Sequence, residues 1–121
     1  MEGFWTVQFT GIQGFGAGVV TFVNGQVLGG DGGFMYVGTY TQQGDAVKAN
    51  VHIKQHAAGV ANVMGRSEFD LQLSGKLNGS KMTLVGTIPG TSLQLQGRAN
   101  ETAGSYGEGI RSSRTKQRLT P

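Results

Sequence analysis

The stretch from Gly14 to Tyr40, GFGAGVVTFVNGQVLGGDGGFMYVGTY, restricts what this chain can fold into more than any other. Glycine recurs through it. The residues between the glycines are strand formers: Val19-Val20, Phe22-Val23, Val27-Leu28 and Phe34-Met35-Tyr36-Val37. Asn24-Gly25 divides the first half, and Asn-Gly between apolar alternations is the strongest short-range hairpin signal. The stretch therefore reads as three strands joined by tight turns, at Asn24-Gly25 and Asp31–Gly33. The glycines at 14, 16 and 18 mark a bend or a close backbone approach.

The period of two continues on both sides. Gly3 to Thr10 sets Trp5, Val7 and Phe9 against Thr6, Gln8 and Thr10. Gly16 to Val23 places Gly18, Val20 and Phe22 on one face. Gln26–Gly30 and Phe34–Gln42 follow. After a turn at Gln43-Gly44-Asp45, Ala46–Gln55 alternates Val47, Ala49, Val51 and Ile53 with Lys48, Asn50, His52 and Lys54. The segment His56–Gly65 breaks the period and is expected to form a short helical turn or a loop across a barrel mouth. Ser67–Leu77, Lys81–Ile88 and Leu93–Ala99 complete the set, with turns at Asn78-Gly79 and Pro89-Gly90.

Eight short strands with turns every eight to twelve residues predict an all-β domain. An open sheet of this length exposes two edges, and closure into an antiparallel up-and-down barrel removes them. A two-sheet sandwich is the alternative. The expected domain covers residues 1–100 of the 121. The strand period stops near Glu101, and residues 101–121 read as a basic, disordered tail.

Charge and residue usage narrow the function classes. There is no cysteine, which excludes a disulfide framework, thiol catalysis and Cys-type metal sites. The formal charge of +3 comes mostly from Arg111, Arg114, Lys116 and Arg118, while residues 1–100 are nearly neutral. No aromatic is interleaved among those four, so direct nucleic-acid binding is not expected. No basic leader or long apolar run is seen, and a cytoplasmic protein without membrane contact is expected.

The glycine runs lack the spacing of a phosphate-binding loop. His52 and His56 share strand parity but lie too far apart to close one metal site. Glu68 and Asp70 face outward and read as solvated carboxylates rather than a catalytic pair. No enzyme, cofactor or metal is expected. Phe34, Tyr36 and Tyr40 have the opposite parity from Met35 and Val37. Both sets are apolar, so either could face out. Phe34, Tyr36 and Tyr40 are the candidate dimer surface; the converse places them in the core with Met35, Val37 and Thr39 outside. A dry interior lined by Trp5, Phe22, Met35, Leu71, Leu84 and Leu95 would suit a carrier of a small apolar ligand, with His56–Gly65 as a lid.

Gly3-Phe4-Trp5 with Val7 and Phe9, GAGVV at Gly16–Val20, Gly29-Gly30-Asp31 followed by Phe34-x-Tyr36-x-Gly38, and Val51-His52-Ile53 resemble the GrlR-type negative regulators of type III secretion. The resemblance is carried by roughly the first 55 residues. It implies a lipocalin-like barrel, a homodimer, a cytoplasmic location, and repression by sequestering a transcriptional activator. In enterobacterial members an acidic loop is tied to that partner. The matching loop here is Thr41-Gln42-Gln43-Gly44-Asp45, so Gln42, Gln43, Gly44 and Asp45 are the partner-binding candidates. It holds one acid where the family archetype has a cluster.

Overall fold

A computed structural model describes residues 1–11, 14–58 and 65–103. Eight antiparallel strands form a closed barrel in sequence order: β1 (Gly3–Gly11), β2 (Gly14–Val23), β3 (Gln26–Gly30), β4 (Phe34–Gln43), β5 (Ala46–Gln55), β6 (Glu68–Asn78), β7 (Lys81–Thr87) and β8 (Gln94–Ala103). β1 pairs with both β2 and β8, so no strand edge is left open. This is the barrel of the expectation, not the sandwich, and it has the form of a lipocalin-like fold. β8 runs to Ala103, three residues beyond the boundary expected at 100, because Phe4 pairs with Ala103 across the closing seam. The remainder of the tail and the centre of the expected lid lie outside the described residues.

Two turn chemistries set the hairpin registers. At β2–β3, Asn24 and Gly25 both take positive φ (50° and 75°), the pattern of a type I′ turn. At β6–β7 the sequence suggests the same use of Asn78-Gly79. There, however, Asn78 pairs with Lys81 as the last strand residue, and Gly79-Ser80 form the loop with Gly79 at φ 66°.

Alternation sorts the side chains into two shells. Trp5, Val20, Phe22, Val27, Val47, Val51, Ile53, Leu71, Met82 and Ala99 are among the buried inner set. Thr, Gln, Asn and Lys dominate outside. Apolar inside and mostly polar outside is the reverse of a membrane-spanning barrel. No helix among the described residues is long and apolar enough to cross a membrane.

Packed aromatic rings fill part of the interior. Trp5, 1 % exposed, meets Phe22 edge to face at 6.2 Å, and Phe22 meets Tyr40 the same way at 5.1 Å. The glycines of the opening stretch govern the rest. A Cβ at Gly38 would lie 2.0 Å from the Asn50 carbonyl oxygen, so β4 and β5 approach too closely there for any side chain. A Cβ at Gly18 would lie 2.6 Å from the Tyr36 hydroxyl oxygen and 2.9 Å from the Gly30 carbonyl oxygen. Gly18 therefore leaves the space into which the Tyr36 ring reaches from β4, over β3, to β2.

Candidate functional site

The parity question at β4 resolves against the candidate dimer surface. Phe34 and Tyr36 are 2 % and 6 % exposed and point inward; Tyr40 is half-buried against the core. Met35 and Val37 take the outside instead. The physical reason is volume. Gly16 and Gly18 remove side chains from the inner face of β2, and the rings of Phe9 and Tyr36 occupy the space.

The barrel interior keeps a cavity of about 90 Å³. Phe22, Leu71 and Leu95 line it, as expected. Three other expected lining residues do not. Trp5 is buried behind Phe22, Leu84 is partly buried against the core and does not line the cavity, and Met35 stands outside the barrel. Val7, Val27, Val51 and Ile53 contribute further apolar wall.

One carboxylate and one phenol interrupt that wall: Asp31 and Tyr36. Asp31 follows β3 and caps the β3–β4 turn. Its Oδ1 accepts hydrogen bonds from the backbone N–H of Gly33 (2.9 Å) and of Phe34 (2.8 Å). Its Oδ2 accepts the Tyr36 hydroxyl at 2.5 Å. Burial pushes the Tyr36 phenol well above its ordinary range, and the hydrogen bond to Asp31 pushes it the same way. Tyr36 is therefore a neutral O–H donor at any physiological pH. His56 closes over the same turn: its backbone N–H donates to the Gly33 carbonyl, and its Nε2 lies 3.0 Å from the Asp31 carbonyl oxygen.

A second feature lies on the outer face. Strand pairing aligns Phe4, Thr21, Leu28, Val37, His52 and Asp70 in one row across β1 to β6. The adjacent row is Val19, Gly30, Met35, Lys54 and Glu68. Val19, Leu28, Met35 and Val37 are 39–46 % exposed and adjoin one another on β2–β4. Gly30 places no side chain between Val19 and Met35. The apolar patch is thus bordered on one side by charge.

That border is a clasp. His52 Nδ1 lies 2.8 Å from Asp70 Oδ1, and Nε2 lies 2.7 Å from Glu68 Oε2. Both contacts are hydrogen bonds only when both ring nitrogens carry protons. The imidazole is accordingly held above its ordinary pKa, first by Asp70 and then by Glu68. The sequence reading placed all three outward but did not join them, because their meeting depends on the β5–β6 register. His52 and His56 do not converge. Among the described residues no group of three or more His, Cys, Asp or Glu is placed to hold a metal ion.

The partner-binding candidates sit at the β4–β5 turn, exposed. Gln42 Nε2 donates to the Gly44 carbonyl, and Gln42 Oε1 accepts from the Met1 ammonium, both at 2.9 Å. Asp45 lies 3.9 Å from Lys76, too long a contact in water to neutralise it strongly. The turn is structured and solvent-facing, with one net acid. No protein-family model matches the sequence, and no curated protein matches it.

Proposed function

We propose that this chain is a non-enzymatic regulatory barrel that works by protein–protein contact, as the resemblance to GrlR-type negative regulators implies. Its partners on this reading are a second copy of itself and a transcriptional activator, which it holds away from its promoter in the cytoplasm. The observation that carries the reading is the exposed apolar patch of Val19, Leu28, Met35 and Val37. Four adjacent exposed apolar residues on one outer face are what a contact surface supplies: an apolar centre with a charged border at His52, Lys54, Glu68 and Asp70. The Gln42–Asp45 turn lies at the end of the same β4 strand and is the second candidate contact.

The test is co-expression with a type III secretion activator, followed by co-purification and sedimentation of the barrel alone. The expected result is a stable complex and a dimer, both weakened by Met35→Lys and Val37→Lys. A monomer that recovers no activator, while retarding promoter DNA by itself, refutes the reading.

A further inference from the structure

We propose that the barrel interior is a binding site for a small neutral molecule, apolar over most of its surface and carrying one O–H or N–H donor, which Asp31 and Tyr36 recognise. Two observations carry this: the cavity and the hydrogen-bond inventory of its polar wall.

The cavity of about 90 Å³ exceeds the roughly 30 Å³ share of one water and is bounded almost wholly by aliphatic and aromatic carbon. A water would find partners only at the Asp31–Tyr36 end, and the rest of the cavity is apolar wall of the sort that takes up small hydrocarbons. Size limits the occupant to a single ring or a short branched chain.

The inventory decides the polarity. An ionised carboxylate offers about four acceptor positions. Asp31 uses three, two on Oδ1 for Gly33 and Phe34 and one on Oδ2 for Tyr36. Tyr36 spends its only proton on Asp31, which leaves its oxygen as an acceptor. Every hydrogen-bonding position left at this wall therefore accepts. An alcohol, a phenol or a pyrrole-type N–H satisfies it. A ketone or ether does not, and a carboxylate is repelled by Asp31. Gly18 serves the same site, because only a residue without Cβ lets the Tyr36 hydroxyl reach the carboxylate.

Phenol, benzene and benzoate are the probes, titrated into the isolated chain with methyl NMR shifts as the readout. Phenol is expected to shift the methyls of Val51, Leu71 and Leu95 and not those of Leu28 and Val37. It should saturate at about tenfold lower concentration than benzene, the value of one hydrogen bond to a charged group. Benzoate should leave the cavity methyls unmoved. Asp31→Asn should bring phenol to the affinity of benzene, and Val51→Phe, which puts a ring into the cavity, should abolish binding of both. The wild-type comparison stands even if either variant fails to fold. Absence of cavity shifts with phenol and benzene, equal affinity for the two, or binding of benzoate overturns the proposal. The titration needs no partner protein, so its outcome is independent of the contact function. Met35→Lys and Val37→Lys should leave it unchanged.

Discussion

If Gly18 exists to clear a path for Tyr36, the two positions are energetically coupled, and a double-mutant cycle measures it. Tyr36→Phe removes the hydroxyl that Asp31 accepts at 2.5 Å inside the barrel. A hydrogen bond to a charged acceptor contributes about 1.5–3 kcal/mol net. Because the lost hydroxyl also no longer needs desolvating, the lower end applies, about 1.5 kcal/mol. Gly18→Ala places a Cβ 2.6 Å from that hydroxyl oxygen and 2.9 Å from a backbone oxygen. Overpacking of this kind costs about 1–3 kcal/mol, against which alanine recovers about 0.5–1 kcal/mol of strand propensity. The single variant should lose about 2 kcal/mol, part of it because the displaced hydroxyl leaves Asp31. In the Tyr36→Phe background that part is already gone. The double variant should therefore be more stable than the sum of the singles predicts by about 1 kcal/mol, within the range for residues in contact. Urea unfolding followed by the fluorescence of Trp5, the single tryptophan and 1 % exposed, reports each variant. Additivity within about 0.3–0.5 kcal/mol would refute the claim that Gly18 serves Tyr36.

Three further outcomes are expected. His52 has a raised folded-state pKa, so its clasp with Asp70 and Glu68 stabilises fully below the unfolded value of about 6.5 and is lost as pH rises through the folded value. Urea midpoints measured across that window should fall with pH in the wild type more steeply than in His52→Gln; equal slopes would show that the clasp does not couple to folding. Gly38→Ala should cost about 3 kcal/mol or more, since the Cβ would strike the Asn50 carbonyl, and a circular dichroism melt unchanged from wild type would contradict the close β4–β5 approach. Val37→Lys should leave the far-UV circular dichroism spectrum unchanged, because the side chain is 46 % exposed, while shifting the sedimentation of the chain towards monomer.

The strands were legible because β5, β6, β8 and most of β1 alternate between apolar and polar while glycine and Asn-Gly turns bound the others, and the observed bounds differ from the expected ones by a few residues at most. The inward face of β4 was not, and the reason is local. Phe34, Tyr36 and Tyr40 compete with Met35 and Val37, and a strand apolar on both sides carries no parity information. The missing signal lay in β2. Its glycines at 16 and 18 share parity with Val20 and Phe22, so they face inward and leave volume that only large rings from elsewhere can fill. Asp31 was read as a turn former, which it is. That it also walls a cavity depends on the β3–β4 turn folding beneath His56, a contact between residues 25 apart in sequence. The His52 clasp was hidden for a similar reason, since the sequence between β5 and β6 breaks the strand period and offers no tight-turn signal to set their register.

The closing seam between β1 and β8 sets the order in which this chain acquires its structure. Seven of the eight strand pairings join neighbours in sequence and can zip outward from their own turns. The eighth joins groups such as Thr6 with Asn100 and Thr102 with Phe4, 94 and 98 residues apart. The longest single loop closure of folding therefore falls on this seam. Until that step, the meander is an open sheet with two unsatisfied edges and an unsealed interior. The register shift between Phe4 and Trp5 falls on this seam, where a last mismatch between two finished edges is taken up by one strand rather than propagated round the ring. Substitutions in β5 or β6, which pair early, should thus mainly slow folding, and those in β1 or β8, which pair last, should mainly hasten the opening of the barrel.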